Sequence, residues 1–394
     1  MISDTESKLI SAARRVGEET ISKYAAEIDE QYRFPKENFE ALHAENLIGL
    51  FIPESLGGQP CNYQEYCHIA SILGEYCLST ALIWVMHTLQ VALLADHAVD
   101  QYPEVLEDIA KNGSLLASVT TEFGKGSSLL NVKSPLEFEG EKMFVRRKTP
   151  ISSYGERAKY FLITMRADEN APSSDTRLVL LKRDDKGTME THGSWRAMGM
   201  RGTGSIPMSF DVEVDKSRIL SKPFRTLAMQ SMTPVSHLGW AAAWYGAASG
   251  AHRRYIKVAR QANTRGLNLF QSDLFTHRLA QLRVSLDMTL SMISYLAIRY
   301  DDMRDNGAPD AAYEDATLKI LVNNLKVGAS KSMFEVADGL IEMAGMSLGY
   351  RQGHDLALER LFRDLRSGAL MYNNDQILSA NGRLVLMERT KLFK

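Results

Sequence analysis

Cysteine is scarce in this 394-residue chain, and the three that occur, Cys61, Cys67 and Cys77, show no CxxC spacing. An odd, scattered set supports neither a disulfide framework nor a metal site, so free thiols are expected. Charge imbalance is also lacking: the net charge is −2 and the pI is near 6.5. That removes the electrostatic reason to expect nucleic acid or an anionic membrane as partner. No run reaches the roughly 18 unbroken apolar residues of a membrane helix. The opening Met1-Ile2-Ser3-Asp4-Thr5-Glu6-Ser7 has neither the basic lead nor the apolar stretch of a secretory signal. The expectation is a soluble, cytoplasmic enzyme.

What is present is enough apolar material, 45% of the residues, to fill more than one core. From Glu6 to about Asn112 apolar residues recur at three and four, as in Leu9, Ala12, Ala13 and Val16, and predict helices. Ile52-Pro53-Glu54-Ser55-Leu56-Gly57-Gly58 interrupts them as a loop, because proline stops a helix and glycine accepts positive φ. Between about Leu115 and Leu220 short β-branched and alternating runs predict strands, including Tyr160 to Thr164, Arg177 to Leu181 and Met208 to Val212. Helical periodicity returns from Val235 to Leu386 in runs long enough for a four-helix bundle. The reading is a mainly α chain with a central β domain: a helical domain over 1–113, a small β-barrel-like domain over 114–225 and a helical bundle over 226–394.

Several strings, in this order and spacing, resemble the acyl-CoA dehydrogenase superfamily over nearly the whole chain. Phe34-Pro35-Lys36-Glu37 with Ile52-Pro53-Glu54 and Gly57-Gly58 resembles its N-terminal signature. Thr120-Thr121-Glu122-Phe123-Gly124-Lys125-Gly126-Ser127 is similar to its flavin-binding loop, with Phe123 in place of proline. Met198-Gly199-Met200-Arg201-Gly202-Thr203 resembles the turn late in the β domain, and Arg363-Asp364 the landmark before the C-terminal site.

The resemblance implies FAD, with FMN as an alternative, in a homodimer or homotetramer. It implies that Thr120 and Thr121 meet the flavin edge, that Ser127 faces the substrate, and that Ser152 places a hydroxyl near the ring. Gly345 would let backbone approach the cofactor phosphates, and Asn374 and Gln376 would hydrogen-bond the flavin. Family members often carry an Arg-x-x-Phe-Gly string that reaches a neighbouring subunit's dinucleotide. The stretch here, Ala262-Asn263-Thr264-Arg265-Gly266, lacks its first arginine, which leaves Arg265 as a substitute phosphate contact or as a helix-end charge.

One family feature is missing. Desaturating an acyl thioester requires a carboxylate to remove the α proton as hydride moves to flavin N5. Where the family carries a glutamate this chain has Tyr372 and Asn373, and the alternative position on an earlier helix is Ser236. Asp375 is the nearest acid, either as a displaced base or as a solvated turn residue. The resemblance therefore implies first an oxidoreductase acting on an acyl-CoA or carrier-protein thioester, with electron-transfer flavoprotein as acceptor. A second possibility is a two-component monooxygenase that receives reduced flavin from a reductase and works through a flavin hydroperoxide. A third is a scaffold without activity. His87, amid Leu82-Ile83-Trp84-Val85-Met86, suits either a residue beside such an oxidant or a core histidine.

Overall fold

The computed structural model describes residues 7–123, 129–262, 264 and 268–386. Six helices come first: α1 Lys8–Val16, α2 Ser22–Gln31, α3 Lys36–Ala44, α4 Tyr63–Tyr76, α5 Leu78–His97 and α6 Pro103–Asn112. Asn62 starts α4 with a capping box, its side chain accepting from the Glu65 N–H at 2.8 Å while Glu65 reaches back to the Asn62 N–H. Asp301, far along the chain, accepts from the next two backbone N–H groups, Tyr63 at 2.6 Å and Gln64 at 3.2 Å. Helix α5 is apolar on every side, long and apolar enough by composition to cross a membrane. It is a core helix here, with 89% of its most apolar window buried inside the fold.

Seven strands follow in two sheets. One runs β1 (Leu116–Val119), β4 (Tyr160–Arg166), β5 (Thr176–Lys182); the other runs β2 (Leu136–Glu139), β3 (Lys142–Ser152), β7 (Ile206–Asp215), β6 (Lys186–Thr191). Strand β7 shows why they stack: Ile206, Met208, Phe210, Val212 and Val214 alternate inward, and Phe210 meets Phe161 of the other sheet edge to face at 5.4 Å. No continuous ladder closes the two sheets into a barrel among the described residues, although a Pro135–Arg166 bridge joins their edges. The register of β3 on β7 slips between Thr149 and Ser152. Pro150 lies inside this slip and has no N–H to give the ladder.

The chain then returns to helix: α7 Phe224–Leu227, α8 Thr233–Ala262, α9 Asp273–Asp305, α10 Asp310–Tyr313, α11 Ala316–Gly345, α12 Leu358–Leu365 and α13 Asn374–Val385. Helix α11 packs on α8, α9 and α13 to form the bundle, and α8 also lies along α4 and α5. Glycines set the α4–α8 approach. A Cβ at Gly246 would sit 1.8 Å from the Ser71 carbonyl oxygen, and one at Gly74 would sit 2.2 Å from that of Ala243. Contacts that short are impossible for a side chain, so the helices touch backbone to backbone.

Two of the strings noted in the sequence meet each other. Asp364 is buried and accepts from the Met200 N–H at 2.5 Å, while Arg363 donates to the Met198 carbonyl at 3.0 Å and to Asp29 at 2.6 Å. Gly199 has no room for a Cβ because the Arg363 carbonyl oxygen lies 2.2 Å from where it would be. These motifs form the joint between the β domain and the bundle.

Candidate active site

A cleft with a cavity volume of about 180 Å³, partly open to solvent, separates the β domain from α5 and α8. Its β wall carries Thr120 and Thr121 from the loop after β1, then Ile151, Ser153 and Tyr154 from the end of β3. Its helical wall carries Met86, Ser236, His237 and Trp240, with Met371 and Tyr372 arriving from the segment before α13.

On the β wall the Thr121 hydroxyl lies 2.8 Å from the Thr149 hydroxyl and donates to the Ile151 carbonyl at 3.0 Å. Arg147, buried, donates to the Thr121 carbonyl at 2.9 Å, so the loop is held from below. Glu122 is tied down rather than offered to the cleft: it accepts from the Ser134 N–H at 2.8 Å and the Lys133 N–H at 2.9 Å and pairs with Arg147 at 3.2 Å.

The helical wall is aromatic. His237 is buried, with its ring centroid 5.7 Å from both Trp240 and Tyr372. Its Nδ1 is buried without a hydrogen-bond partner among the described residues. Burial, reinforced by the Lys326 charge, pulls the imidazole down to about 3. Trp240, three residues on and therefore on the same helix face, has an Nε1–H that also lacks a partner.

Tyr372 takes a left-handed backbone with φ of 50°, costly for a side chain of this size. Lys326, buried in α11, fixes that conformation. Its ammonium donates to the carbonyls of Tyr372 and Gly368, both at 2.9 Å, and to Asn374 Oδ1 at 2.8 Å. Burial lowers the amine to about 7, while three acceptors for three N–H groups favour the protonated form. Burial also raises the Tyr372 phenol to about 12.

Of the residues singled out in the sequence, Thr120, Thr121 and Tyr372 line the cleft together. His87 does not. Its Nε2 contacts the Ile48 carbonyl at 3.1 Å and its Nδ1 accepts from the Leu116 N–H at 3.1 Å, which makes it a fully paired core residue. Asp375 is exposed in the first turn of α13 and lies outside the cleft, its N–H donating to Asn373 Oδ1 at 2.8 Å. Ser152 is buried and faces away from the cleft, because the register slip in β3 inserts one residue and hands the cleft to Ile151 and Ser153. Asn374 turns inward to Lys326 and Ser330 rather than toward the cleft. Gly345, at φ 69°, and Gln376 are exposed on the bundle surface. Ser127 and Arg265 lie outside the described residues.

His237, Trp240 and Lys326 escaped sequence reading. All three sit in apolar helical runs, and what distinguishes them is pairing across long stretches of chain. Among the described residues that line the cleft, none is Asp or Glu.

Comparison with known proteins bears on this architecture. Family models described as the N-terminal and C-terminal domains of acyl-CoA dehydrogenase match residues 3–112 and 226–379. "Probable acyl-CoA dehydrogenase FadE25" of Mycobacterium tuberculosis is 22% identical, with 93% of this chain and 91% of that protein covered. Butyryl-CoA dehydrogenase from Megasphaera elsdenii superposes with a TM-score of 0.86 at 17% identity, covering 98% of this chain and 100% of that one. FMN-bound TdsC from Paenibacillus sp. A11-2 superposes with a TM-score of 0.85 at 16% identity, covering 98% of each. With both terminal domains matched and the helix, sheet, helix order intact, this chain belongs to the acyl-CoA dehydrogenase superfamily of flavoproteins.

Proposed function

We propose that this chain is a flavin-dependent oxidoreductase whose chemistry needs no carboxylate base, an oxygenase charged with reduced flavin by a partner reductase. The observation that carries this reading is the make-up of the cleft. Loss of an α proton to a cleft residue would require a base, and none of those present suits the task. Tyr372, pushed to about 12, stays protonated at neutral pH, and His237, pulled to about 3, binds a proton too weakly to drive the transfer.

The cleft suits a flavin ring. One wall offers the Thr120 and Thr121 backbone, and the other is aromatic. A bound flavin supplies two-electron redox chemistry and, when reduced, reactivity toward oxygen. Thr120 and Thr121 hold the ring edge. Met86, Leu89, Met232 and Trp240 keep water out of the space beside it. Lys326 holds Tyr372 in place over that space. FAD and FMN are both compatible with this wall. Gly345 and Gln376, exposed on the bundle, stand outside this cleft, where a second copy would meet them. The solvent-facing apolar residues Val284, Met288, Tyr295 and Ile298 of α9 support such a homo-oligomer.

A second reading, oxidation of an acyl thioester with electron-transfer flavoprotein as acceptor, is favoured by the relative named as an acyl-CoA dehydrogenase. One experiment separates the two. The purified protein, reconstituted with FAD or FMN, is mixed anaerobically with acyl-CoA thioesters, and separately given externally reduced flavin and oxygen. Oxygen consumption dependent on the protein, with no bleaching by thioesters, is the expected result. Anaerobic bleaching by a thioester would reverse the assignment.

A further inference from the structure

At the C-terminal end of α5, side chains from three elements join into one hydrogen-bonded chain. Helix α5 supplies Asp96 and His97, the π-helical turn Ala228–Met232 between α7 and α8 supplies Ser231, and the connector leaving the β domain supplies Lys222. Ser231, buried, donates to Asp96 Oδ2 at 2.9 Å; His97 Nε2 lies 2.9 Å from the Ser231 hydroxyl; Lys222 Nζ lies 3.2 Å from His97 Nδ1. One placement of protons satisfies all three contacts. The Asp96 carboxylate, paired with Arg304 at 3.2 Å, only accepts, so Ser231 spends its proton there and accepts from His97 Nε2–H. His97 Nδ1 is then bare and accepts from the Lys222 ammonium, which requires a neutral imidazole.

We propose that this chain of bonds is an acid-released latch, which fastens the connector and the π-helical turn to α5 at neutral pH and lets go when His97 gains a proton. The proposal does not depend on the flavin reading. An imidazolium would present Nδ1–H to the Lys222 ammonium, donor against donor and like charge against like charge. The ring stays, because Ser231 holds its other side and both Asp96 and Asp310, the latter on α10 packed against the same turn, favour a positive ring. Lys222 is the partner that leaves. The remaining neighbours do not titrate in this range: Arg304 is bound to Asp96, and Tyr63 and Tyr313 are phenols raised by burial. Burial holds the His97 imidazole below its ordinary value of about 6.5, and the Lys222 charge adds to that against the pull of Asp96. Fastening is therefore complete above about pH 6.5 and is lost as pH falls through the lowered folded value. Release is local. Gln101 donates to the Ser217 and Ile219 carbonyls at 2.7 and 2.9 Å, bonds that do not titrate. What loosens is the stretch from Lys222 to Met232, whose last residue lines the cleft beside Thr233.

Two measurements on the purified protein test the latch. Nitrogen NMR of the imidazoles should show His97 carrying its proton on Nε2 at about pH 7.5 and titrating below about pH 6.5. A proton on Nδ1, or a midpoint above that value, would overturn the proposal. Hydrogen-exchange mass spectrometry, corrected for the intrinsic effect of pH, then follows residues 222–232, with residues 216–220 and α11 as controls. Exchange in 222–232 is expected to rise about tenfold once the ring is protonated, with the controls little changed. His97→Gln, whose amide accepts at one end and donates at the other without titrating, should abolish that acid response. Lys222→Met should speed the same stretch already at about pH 7.5 and raise the His97 midpoint, because the charge that lowers it is gone. An acid response that persists in His97→Gln, one of equal size in α11, or a Lys222→Met variant indistinguishable from the parent would each overturn the latch. Lys222 is only half-buried, so the comparison of wild type with Lys222→Met decides the matter even where His97→Gln fails to fold.

Discussion

Two buried histidines on neighbouring helices, His87 on α5 and His237 on α8, look alike by burial and differ in their surroundings. The first has both ring nitrogens engaged by backbone, and the second stands in the aromatic wall of the cleft beside Trp240 and Tyr372. Burial therefore does not separate core from cleft; the neighbours do.

The largest effect that sharpens this contrast is acid sensitivity. Both imidazoles sit below their ordinary value of about 6.5 because burial penalises the charged form, His87 at about 4 and His237 at about 3. A lowered folded pKa means that the unfolded chain binds the extra proton more readily, so each group's contribution is complete above about pH 6.5 and is lost as pH falls toward its folded value. Denaturant titrations from pH 7 to pH 3 should show about 3 kcal/mol of loss from His87 and about 4 kcal/mol from His237. His237→Phe should flatten its share of that limb. An unchanged slope would place the buried imidazole elsewhere than the structure does.

Next in size is Lys326→Met, expected to cost about 3 kcal/mol because the Gly368 and Tyr372 carbonyls and Asn374 lose their shared donor. Thermal unfolding measures that cost. The same variant should raise the imidazole pKa of His237, followed by NMR, since the Lys326 charge contributes to lowering it. At neutral pH His87→Phe should cost about 2–3 kcal/mol, by stranding the Ile48 carbonyl and the Leu116 N–H, whereas His237→Phe should stay within about 1 kcal/mol of the parent. Equal losses in the two variants would break the comparison. Smallest is Asp375→Asn: an exposed residue outside the cleft should change stability by less than about 0.5 kcal/mol and leave turnover untouched. A collapse of activity in that variant would return Asp375 to the site.

Much of the architecture was legible because it rests on local signals. Leu9, Ala12, Ala13 and Val16 repeat at helical spacing, and Met208 to Val212 carry the strand pattern. The strings around Gly199 and Asp364 were legible as landmarks, and their reason became visible only when they were seen to touch. The site was less legible because its geometry is set by non-local or cumulative features. One inserted residue in β3 exchanges Ser152 for Ser153 at the cleft. Lys326 acquires its role from acceptors more than forty residues away. His237 reaches the cleft wall only through packing against Tyr372, 135 residues further along the chain.

The glycine seam between α4 and α8 bears on how this site can breathe. Because Gly74 and Gly246 bring those two backbones into direct contact, α8 cannot slide or roll inward along its partner, and the wall that bears His237 behaves as a fixed rail. Motion that admits or releases a molecule is then left to the facing β wall, since Tyr372 is itself tied to the bundle through the Lys326 ammonium.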